Sequence, residues 1–286
     1  PEAGPGADAG SDALAADGGG DAGTCADYNP LKNPYFGDLH AHTSYSADAY
    51  TFDTRNTPLD AYAFARGKSL QVAGAGPDGG GPITTIDKPL DFLAVTDHSE
   101  FLAVAYGCGE DPAGNPYDPA KRIYDTLACR AFRADKQALQ LAAIFVVLNK
   151  VCDGGACEPV ITSAWEKEQQ AAAAAYEKCK FTSLVAYEWT KTSNDATLHK
   201  NVVFGPGAVP ARPLDSLTHP TQEELWRGLA SGCGGGPGCE AITIPHNGNL
   251  SQGLAFEVPT DPVDRENMIR YQRLVEIFQH KGGSEC

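Results

Sequence analysis

Residues 35–43 read YFGDLHAHT, and residues 91–99 read DFLAVTDHS. In both stretches a short strand-like run ends in histidine beside an acid or a threonine. Largely apolar runs of this length are typical of strands buried on both faces, as in a parallel sheet. In α/β folds the catalytic groups collect at the carboxyl ends of such strands. The two stretches therefore predict an α/β fold with a polar site at its strand ends.

The rest of the chain continues this alternation of apolar runs and helix-forming stretches. Further strands are predicted over 182–188, 201–205, 241–245 and 273–278. Helices are predicted after the caps at Thr57-Pro58 and Thr221-x-x-Glu224, and over 118–150, 162–178 and 261–272. Gly/Pro-rich loops are predicted over 71–88, 107–117 and 206–218. The order of elements favours an α/β barrel or a doubly wound sheet, with the strands parallel.

The charge balance excludes some function classes. The 286 residues are 42% hydrophobic, which is enough for a sizeable core, and carry a net charge of −15. Acids outnumber bases by 37 to 22, whereas affinity for nucleic acid rests on clustered Lys and Arg. We therefore expect no nucleic-acid partner and no docking on anionic lipid. No apolar run approaches the ~18 residues that a membrane span needs, so no membrane-spanning segment is predicted.

The N-terminal stretch differs in composition from the remainder. Residues 1–24 hold five acids, no base and one large apolar side chain, Leu14. A segment of this kind cannot bury enough area to offset its ordering entropy, so we expect a flexible tether there and a folded domain over 25–286. Acidic Gly/Ala tethers often separate a lipid anchor from an exported domain, which would place such an anchor before Pro1.

The cysteines also indicate export. Nine is a high count for a cytosolic enzyme of this size. Cys152 and Cys157, and likewise Cys233 and Cys239, would close short Gly-rich loops as local disulfides. The alternative is a zinc site, although neither pair is a C-x-x-C and no histidine lies beside them. The odd count leaves one thiol, with Cys286 the candidate for a partner outside this chain.

Four of the seven histidines fall just after a predicted strand: His40, His42, His98 and His246. Side chains alternate along a strand, so an H-x-H pair places both imidazoles on one face, which suits a divalent metal. Glu188 ends a third strand. Taken singly, each residue has a plainer explanation as a turn, a cap or a satisfied buried histidine. Their joint placement at strand ends predicts a metal site.

These motifs resemble the PHP (polymerase and histidinol phosphatase) superfamily. The resemblance rests on GDLHAHTSYSADA, LDFLAVTDHSE, AYEWT, LHKN, IPHNGN and EIFQHKGGSEC, and covers about residue 35 to the end. LHKN and HKGGSEC point more narrowly to the bacterial domain of unknown function 3604. The resemblance implies a distorted (β/α)7 barrel with up to three metals at its C-terminal mouth.

The resemblance also implies roles for individual residues. His40 and His42 would bind the first metal, Glu188 would bridge the first and second, and His199 and His246 would complete the second. Asp48 and His98 match positions of the third metal, and Asp97 would fix the tautomer of His98. Histidine-rich ligation favours two or three zinc, manganese or iron ions over magnesium. Lys281 and Lys200 are candidates to contact a phosphate, with a solvated surface charge as the alternative for each.

The sequence departs from the superfamily in one respect. The late D-x-H, whose residues bind the first and third metals, has no match after residue 250. We therefore expect the chain to hold the N-terminal and major part of the barrel. If the motif is truly absent, the first and third metals each lose a ligand.

Three functions compete at this point. The first is a phosphoesterase that uses a metal-bound hydroxide on a small-molecule or exported phosphoester. The second is a lactonase or amidase on the same metals, because such a nucleophile also attacks carbonyl carbon. The third is a non-catalytic exported binding or structural protein with a degenerate barrel.

Overall fold

The computed structural model describes residues 25, 29–73, 80–110, 112, 117–134, 137–193, 196–233, 238–279 and 282–284. Its helices are α1 (Ala47–Thr51), α2 (Pro58–Ala65), α3 (Leu102–Gly109), α4 (Lys121–Tyr124), α5 (Leu127–Phe132), α6 (Gln137–Val146), α7 (Glu158–Ala175), α8 (Gln222–Ser231) and α9 (Pro262–Tyr271). Its strands are β1 (Gly37–Ala41), β2 (Leu70–Ala73), β3 (Gly80–Thr84), β4 (Phe92–Val95), β5 (Thr182–Leu184), β6 (Ala186–Ser193), β7 (Ala196–Phe204), β8 (Ala241–His246), β9 (Phe278–Gln279) and β10 (Gly282–Gly283).

The first two predicted strands and the first part of the third form a parallel sheet in the order β1-β4-β5. The third, predicted as one strand over 182–188, divides into β5 and the start of β6. Long helical connections separate them in sequence, as parallel pairing requires. Gly37 lies opposite Phe92, and a Cβ at this glycine would stand 2.3 Å from the Phe92 carbonyl oxygen. Only glycine lets the two strands approach this closely at the entry to β1.

The remaining long strands are antiparallel, which contradicts the prediction of parallel strands over 201–205 and 241–245. They form a second sheet in the order β6-β7-β8. Only two residues separate β6 from β7, which suffices for a hairpin but not for a crossover. A single parallel bridge between His98 and Glu188 joins this sheet to the first, and Glu188 N donates to the Asp97 carbonyl oxygen over 3.0 Å.

The described strands make a mixed α/β structure with several small sheets and no closed barrel. Two short antiparallel hairpins, β2-β3 and β9-β10, complete them. Apart from Leu70, the first hairpin lies within the stretch 71–88 that we predicted as a loop. The strand predicted over 273–278 is mostly irregular, and only Phe278 of it lies in β9.

Local signals in the sequence placed the helix starts correctly. Thr57 accepts from the Asp60 backbone and Asp60 reaches back to Thr57, so a complete capping box opens α2. Thr221 and Glu224 form the same motif at α8. The stretch 118–150 divides into α4, α5 and α6 rather than forming one helix.

Four disulfides lie within the described part of the chain: Cys25–Cys179, Cys108–Cys129, Cys152–Cys157 and Cys233–Cys239. The last two are the local pairs predicted from sequence. These bonds are consistent with a secreted protein. Among the described residues, no helix is long and apolar enough to cross a membrane. The predicted tether over 1–24 and the thiol of Cys286 lie outside the described residues.

Candidate metal centre

The structure brings all seven predicted ligands to one place. Four of the ligands lie in strands: His40 in β1, Glu188 in β6, His199 in β7 and His246 at the end of β8. His42 directly follows β1, His98 lies three residues after the end of β4, and Asp48 lies in α1. The bridge from β4 to β6 aligns the ends of the two sheets. The pairing of β7 with β8 then sets His199 directly opposite His246.

Glu188 is the centre of the cluster. Its side chain is fully buried, and its Oε2 lies 2.9 Å from His42 Nε2 and 3.3 Å from His40 Nε2. Its Oε1 lies 3.4 Å from His98 Nδ1 and 3.3 Å from His246 Nε2, and it also contacts His199 Nδ1. One carboxylate therefore divides five imidazoles into two groups, as a bridging ligand would.

Asp48 extends the cluster toward the pocket. Its carboxylate lies 3.1 Å from His42 Nδ1 and 3.5 Å from His98 Nε2. Three groups could each hold an ion, with their ligand atoms within 4.8 Å of one another: His40, Glu188 and His246; His42, Asp48 and His98; His98, Glu188 and His199. These groups separate His40 from His42, whereas the resemblance pairs them on one metal.

The donor set fits metal ions better than it fits a hydrogen-bonded network. His246 is fully buried, and its ring nitrogens accept or donate no well-aligned hydrogen bond among the described residues, although Nε2 lies 3.3 Å from Glu188 Oε1. Burying an imidazole nitrogen without a well-aligned partner is costly. An ion held by His246 together with Glu188 and His40 would remove that cost at the liganded nitrogen, and mixed imidazole and carboxylate ligation suits a divalent metal.

The electrostatics of the cluster also favour a cation. Burial opposes ionisation of Glu188, but His98, His199 and the other imidazoles hold its pKa well below the usual range. Burial lowers the pKa of His40, but hydrogen bonds to Glu188 and Glu276 raise it to about 9. The negative potential that retains a proton on this ring also attracts a divalent cation.

Two residues that the sequence analysis missed hold the histidine rings. Glu276 Oε2 lies 2.7 Å from His40 Nδ1, and Thr190 Oγ1 lies 2.9 Å from His98 Nδ1. Such partners fix the orientation of metal-ligating rings. The signal for Glu276 was present, because it is an acid inside the apolar stretch RLVEIF. Thr190 follows Glu188 at a spacing of two along β6 and so shares its face.

Asp97 and Lys200 differ from their expected roles. Asp97 is buried and accepts from Thr43 N and Oγ1, so the contact expected of it with the His98 ring is made by Thr190 instead. Burial raises the pKa of Asp97 to about 6. Lys200 is fully buried rather than a solvated charge, and it contacts Gln272. Lys281 lies outside the described residues.

A pocket of about 1040 Å³ opens over the cluster. Glu276 lines it together with five of the ligands: His40, His42, Asp48, His98 and His199. A small substrate would fit this volume. The cluster is therefore buried at its base and accessible from one direction.

Comparison with known proteins gives one match. The family model described as "Protein of unknown function (DUF3604)" matches residues 29–286. No curated protein and no solved structure matches the chain.

Proposed function

The chain belongs to the DUF3604 family, and we propose that it is a metal-dependent hydrolase that cleaves phosphoesters at the site around Glu188. The observation that carries the proposal is the division of five imidazoles between the two oxygens of this one buried carboxylate. The accessible pocket above it gives a substrate a route to the ligands.

Bound divalent metals would supply a Lewis acid for the phosphoryl oxygens and lower the pKa of water toward neutrality. The residues of this chain hold and orient them. Glu188 offers one oxygen to each side, Glu276 fixes the His40 ring and Thr190 fixes the His98 ring. In the net reaction a bond forms between phosphorus and a water oxygen, and the ester P–O bond breaks. The departing alcohol takes one of the water protons.

We extend the proposal to the finer features that the resemblance implies. The parallel order β1-β4-β5, with H-x-H after the first strand and T-D-H after the second, supports a PHP-type (β/α)7 architecture. The imidazole-rich ligands favour zinc, manganese or iron. The four disulfides support an exported location, whether periplasmic, cell-surface or extracellular.

A second candidate reaction is hydrolysis of a lactone or amide on the same metals. The observation that favours it concerns charge, since none of the described residues that line the pocket is a lysine or arginine. A phosphomonoester dianion is commonly bound by such cations. An uncharged carbonyl substrate would not need them.

The decisive experiment counts metals in the purified protein. After loading with zinc or manganese and removal of excess, inductively coupled plasma mass spectrometry should find about two or more ions per chain. Glu188→Gln should lose most of them, because the bridging oxygens lose their charge. The exposed Glu257→Gln is the matched control and should keep them. Less than one ion per chain in the parent protein would overturn the proposal.

Activity assays then separate the reaction classes. Turnover of bis(p-nitrophenyl) phosphate that is lost in His42→Ala would support the phosphoesterase. Turnover of a lactone alone would favour the second reaction. A fully loaded protein that turns over neither substrate would count against both and support the binding-protein alternative.

A further inference from the structure

Exposed apolar side chains surround the mouth of the metal-site pocket. Phe52 and Phe278 both line it, and each is 77% exposed. Leu274 and Val275 line it too, at 51% and 45% exposure. Two nearly bare phenylalanines at the entrance of one pocket form an apolar patch of the kind that marks binding sites. We name these four residues the mouth patch.

Each phenylalanine is fixed relative to the metal-binding residues. Phe52 lies four residues after Asp48, so the two share one face of the α1 turn, and Phe52 N donates to the Asp48 carbonyl oxygen over 3.0 Å. Asp53 takes a left-handed φ of 72°, and Thr54 N closes the turn on the Ala49 carbonyl oxygen over 2.9 Å. Phe52 is thus presented by a hydrogen-bonded turn.

Phe278 has a corresponding position on a second segment. It lies two residues after Glu276, and both residues line the pocket. Its backbone pairs with Gly283 in the β9-β10 hairpin. The same two short segments therefore carry both a polar residue at the metal cluster and a phenylalanine at the mouth. Both rings line the pocket that leads to the cluster.

The charge of the pocket limits the ligand further. Within the described part of its lining there is no lysine or arginine, while Asp38 and Glu276 contribute acids. The whole chain carries a net charge of −15. This field repels polyanions during approach. Bound metals would offset these acids locally, but no described lysine or arginine of the lining is placed to bind a further phosphate charge, so an ester with at most one negative charge is the better candidate.

The adjacent strand β1 is poorly suited to receive another strand. Its His40 N donates to Asp38 Oδ1 over 2.9 Å, and its Leu39 carbonyl oxygen accepts from Asn201 Nδ2 over 3.0 Å. These two groups belong to one trans peptide and point to opposite edges of the strand, so a side chain already satisfies one backbone group that an added strand would need. The patch favours a small ligand over an extended peptide.

We propose that the mouth patch binds an apolar, aryl-sized group on the substrate, which is a phosphodiester of an apolar alcohol. This proposal depends on the proposed function only for the identity of the reacting group, the phosphodiester. Phe52 and Phe278 are the specificity-determining residues, and the phosphodiester monoanion lies over the histidine cluster. The apolar contact adds to binding because it removes both the ligand and two exposed rings from water.

The test compares two monoanions that lack an ester bond, on the metal-loaded full chain. Dibenzylphosphinate and dimethylphosphinate share the phosphinate anion, which stands in for the phosphodiester, and differ in the apolar groups. Titration calorimetry should give a dissociation constant at least about tenfold lower for the dibenzyl compound. Phe52→Ala and Phe278→Ala should each reduce this ratio threefold or more. Leu127→Ala removes an equally exposed side chain on α5, outside the pocket lining, and should leave the ratio unchanged.

The outcomes separate this proposal from the proposed function. A ratio near one in the parent protein, or a ratio that neither phenylalanine variant changes, overturns the mouth patch as a specificity site even if diesters are hydrolysed. A ratio that depends on both phenylalanines supports it even if no ester is turned over. In that case the assignment of the reaction fails and the binding site remains. Circular dichroism of both variants confirms that they are folded.

Discussion

The contact between Glu276 and His40 decides which ring nitrogen faces the cluster. Glu276 Oε2 engages Nδ1 over 2.7 Å, and Nε2 of the same ring lies 3.3 Å from Glu188 Oε2. A carboxylate on one imidazole nitrogen holds the ring and raises the basicity of the other nitrogen. Glu276 is therefore a positioning residue for His40 rather than a ligand of the same ion.

Substitution of Glu276 should weaken metal binding without abolishing it. We expect Glu276→Ala to reduce the affinity of the ion held by His40 by about 10–100-fold, because the ring loses its orienting partner. Glu276→Gln keeps an oxygen acceptor and should lose less. Competition with a chelator of known affinity measures the change.

The exposed Glu257→Ala serves as control for this measurement. If Glu276→Ala binds metal as tightly as the parent protein does, the ring is held by its packing and the positioning role is wrong.

The ligands could be predicted from sequence more fully than the residues that support them. Five ligands could be predicted because each follows or ends an apolar run: His40, His42, His98, Glu188 and His246. His199 lies in a stretch without such a signal, and only the resemblance identified it. Partners such as Thr190 depend on which side chains meet across strands, and this is set by the register of β6 with its neighbours. A single sequence does not reveal that register.

Successive residues of strand β7 face two different environments. His199 faces the metal cluster, and the next residue, Lys200, points to the other side of the sheet. There Lys200 is fully buried, its Nζ donates to Gln272 Oε1 and lies 5.3 Å from the centre of the Trp226 ring. Burial lowers the pKa of Lys200 to about 7, and Glu223 opposes this only in part.

Replacement of Lys200 should make the stability of the protein less dependent on pH. Unfolded lysine titrates near 10.5, so between about pH 7 and 10.5 the unfolded chain binds more protons and stability rises with pH. Below pH 7 the wild type bears the whole cost of a buried ammonium. We expect the gain in unfolding free energy of Lys200→Met to shrink by roughly 2 kcal/mol between pH 6 and pH 9, as measured by urea unfolding.

Lys180→Met is the matched control, because the Lys180 side chain is 74% exposed in a surface pair with Glu177. Its stability should stay within about 0.5 kcal/mol of wild type at both pH values. A gain for Lys200→Met that is equal at pH 6 and pH 9 would show that Lys200 keeps its ordinary titration in the folded protein.

The sequence predicts where helices begin better than it predicts whether strands run parallel or antiparallel. The capping boxes at Thr57 and Thr221 are local patterns, and both helices begin where the pattern indicates. The direction of β7 and β8 depends on connection length and on pairing across the sheet. Their apolar runs look the same in parallel and antiparallel pairing when both faces are covered. The same apolar character therefore suggested parallel strands where the structure has antiparallel ones.

The disulfides close loops of very different length, so we expect them to contribute unequally to the stability of the whole molecule. Cys25–Cys179 links residues 154 apart in sequence, whereas Cys152–Cys157 links residues 5 apart. Cys25 and Cys179 line a pocket with Asp91 and Thr182. Asp91 directly precedes β4 and Thr182 begins β5, so this bond lies at the amino ends of the parallel strands, opposite the metal cluster.

Removal of the long-range disulfide should therefore reduce stability more than removal of the local one, while metal binding persists. The loop-closure model assigns about 5 kcal/mol to Cys25–Cys179 and about 2 kcal/mol to Cys152–Cys157. We expect the double variant Cys25→Ser/Cys179→Ser to lose more unfolding free energy in urea than Cys152→Ser/Cys157→Ser, by about 2 kcal/mol or more. At low temperature both should bind the same number of metal ions as the parent. Equal losses would show that the bonds act through native-state contacts, and loss of metals from the first variant alone would show that the amino ends of the sheet support the cluster at its other end.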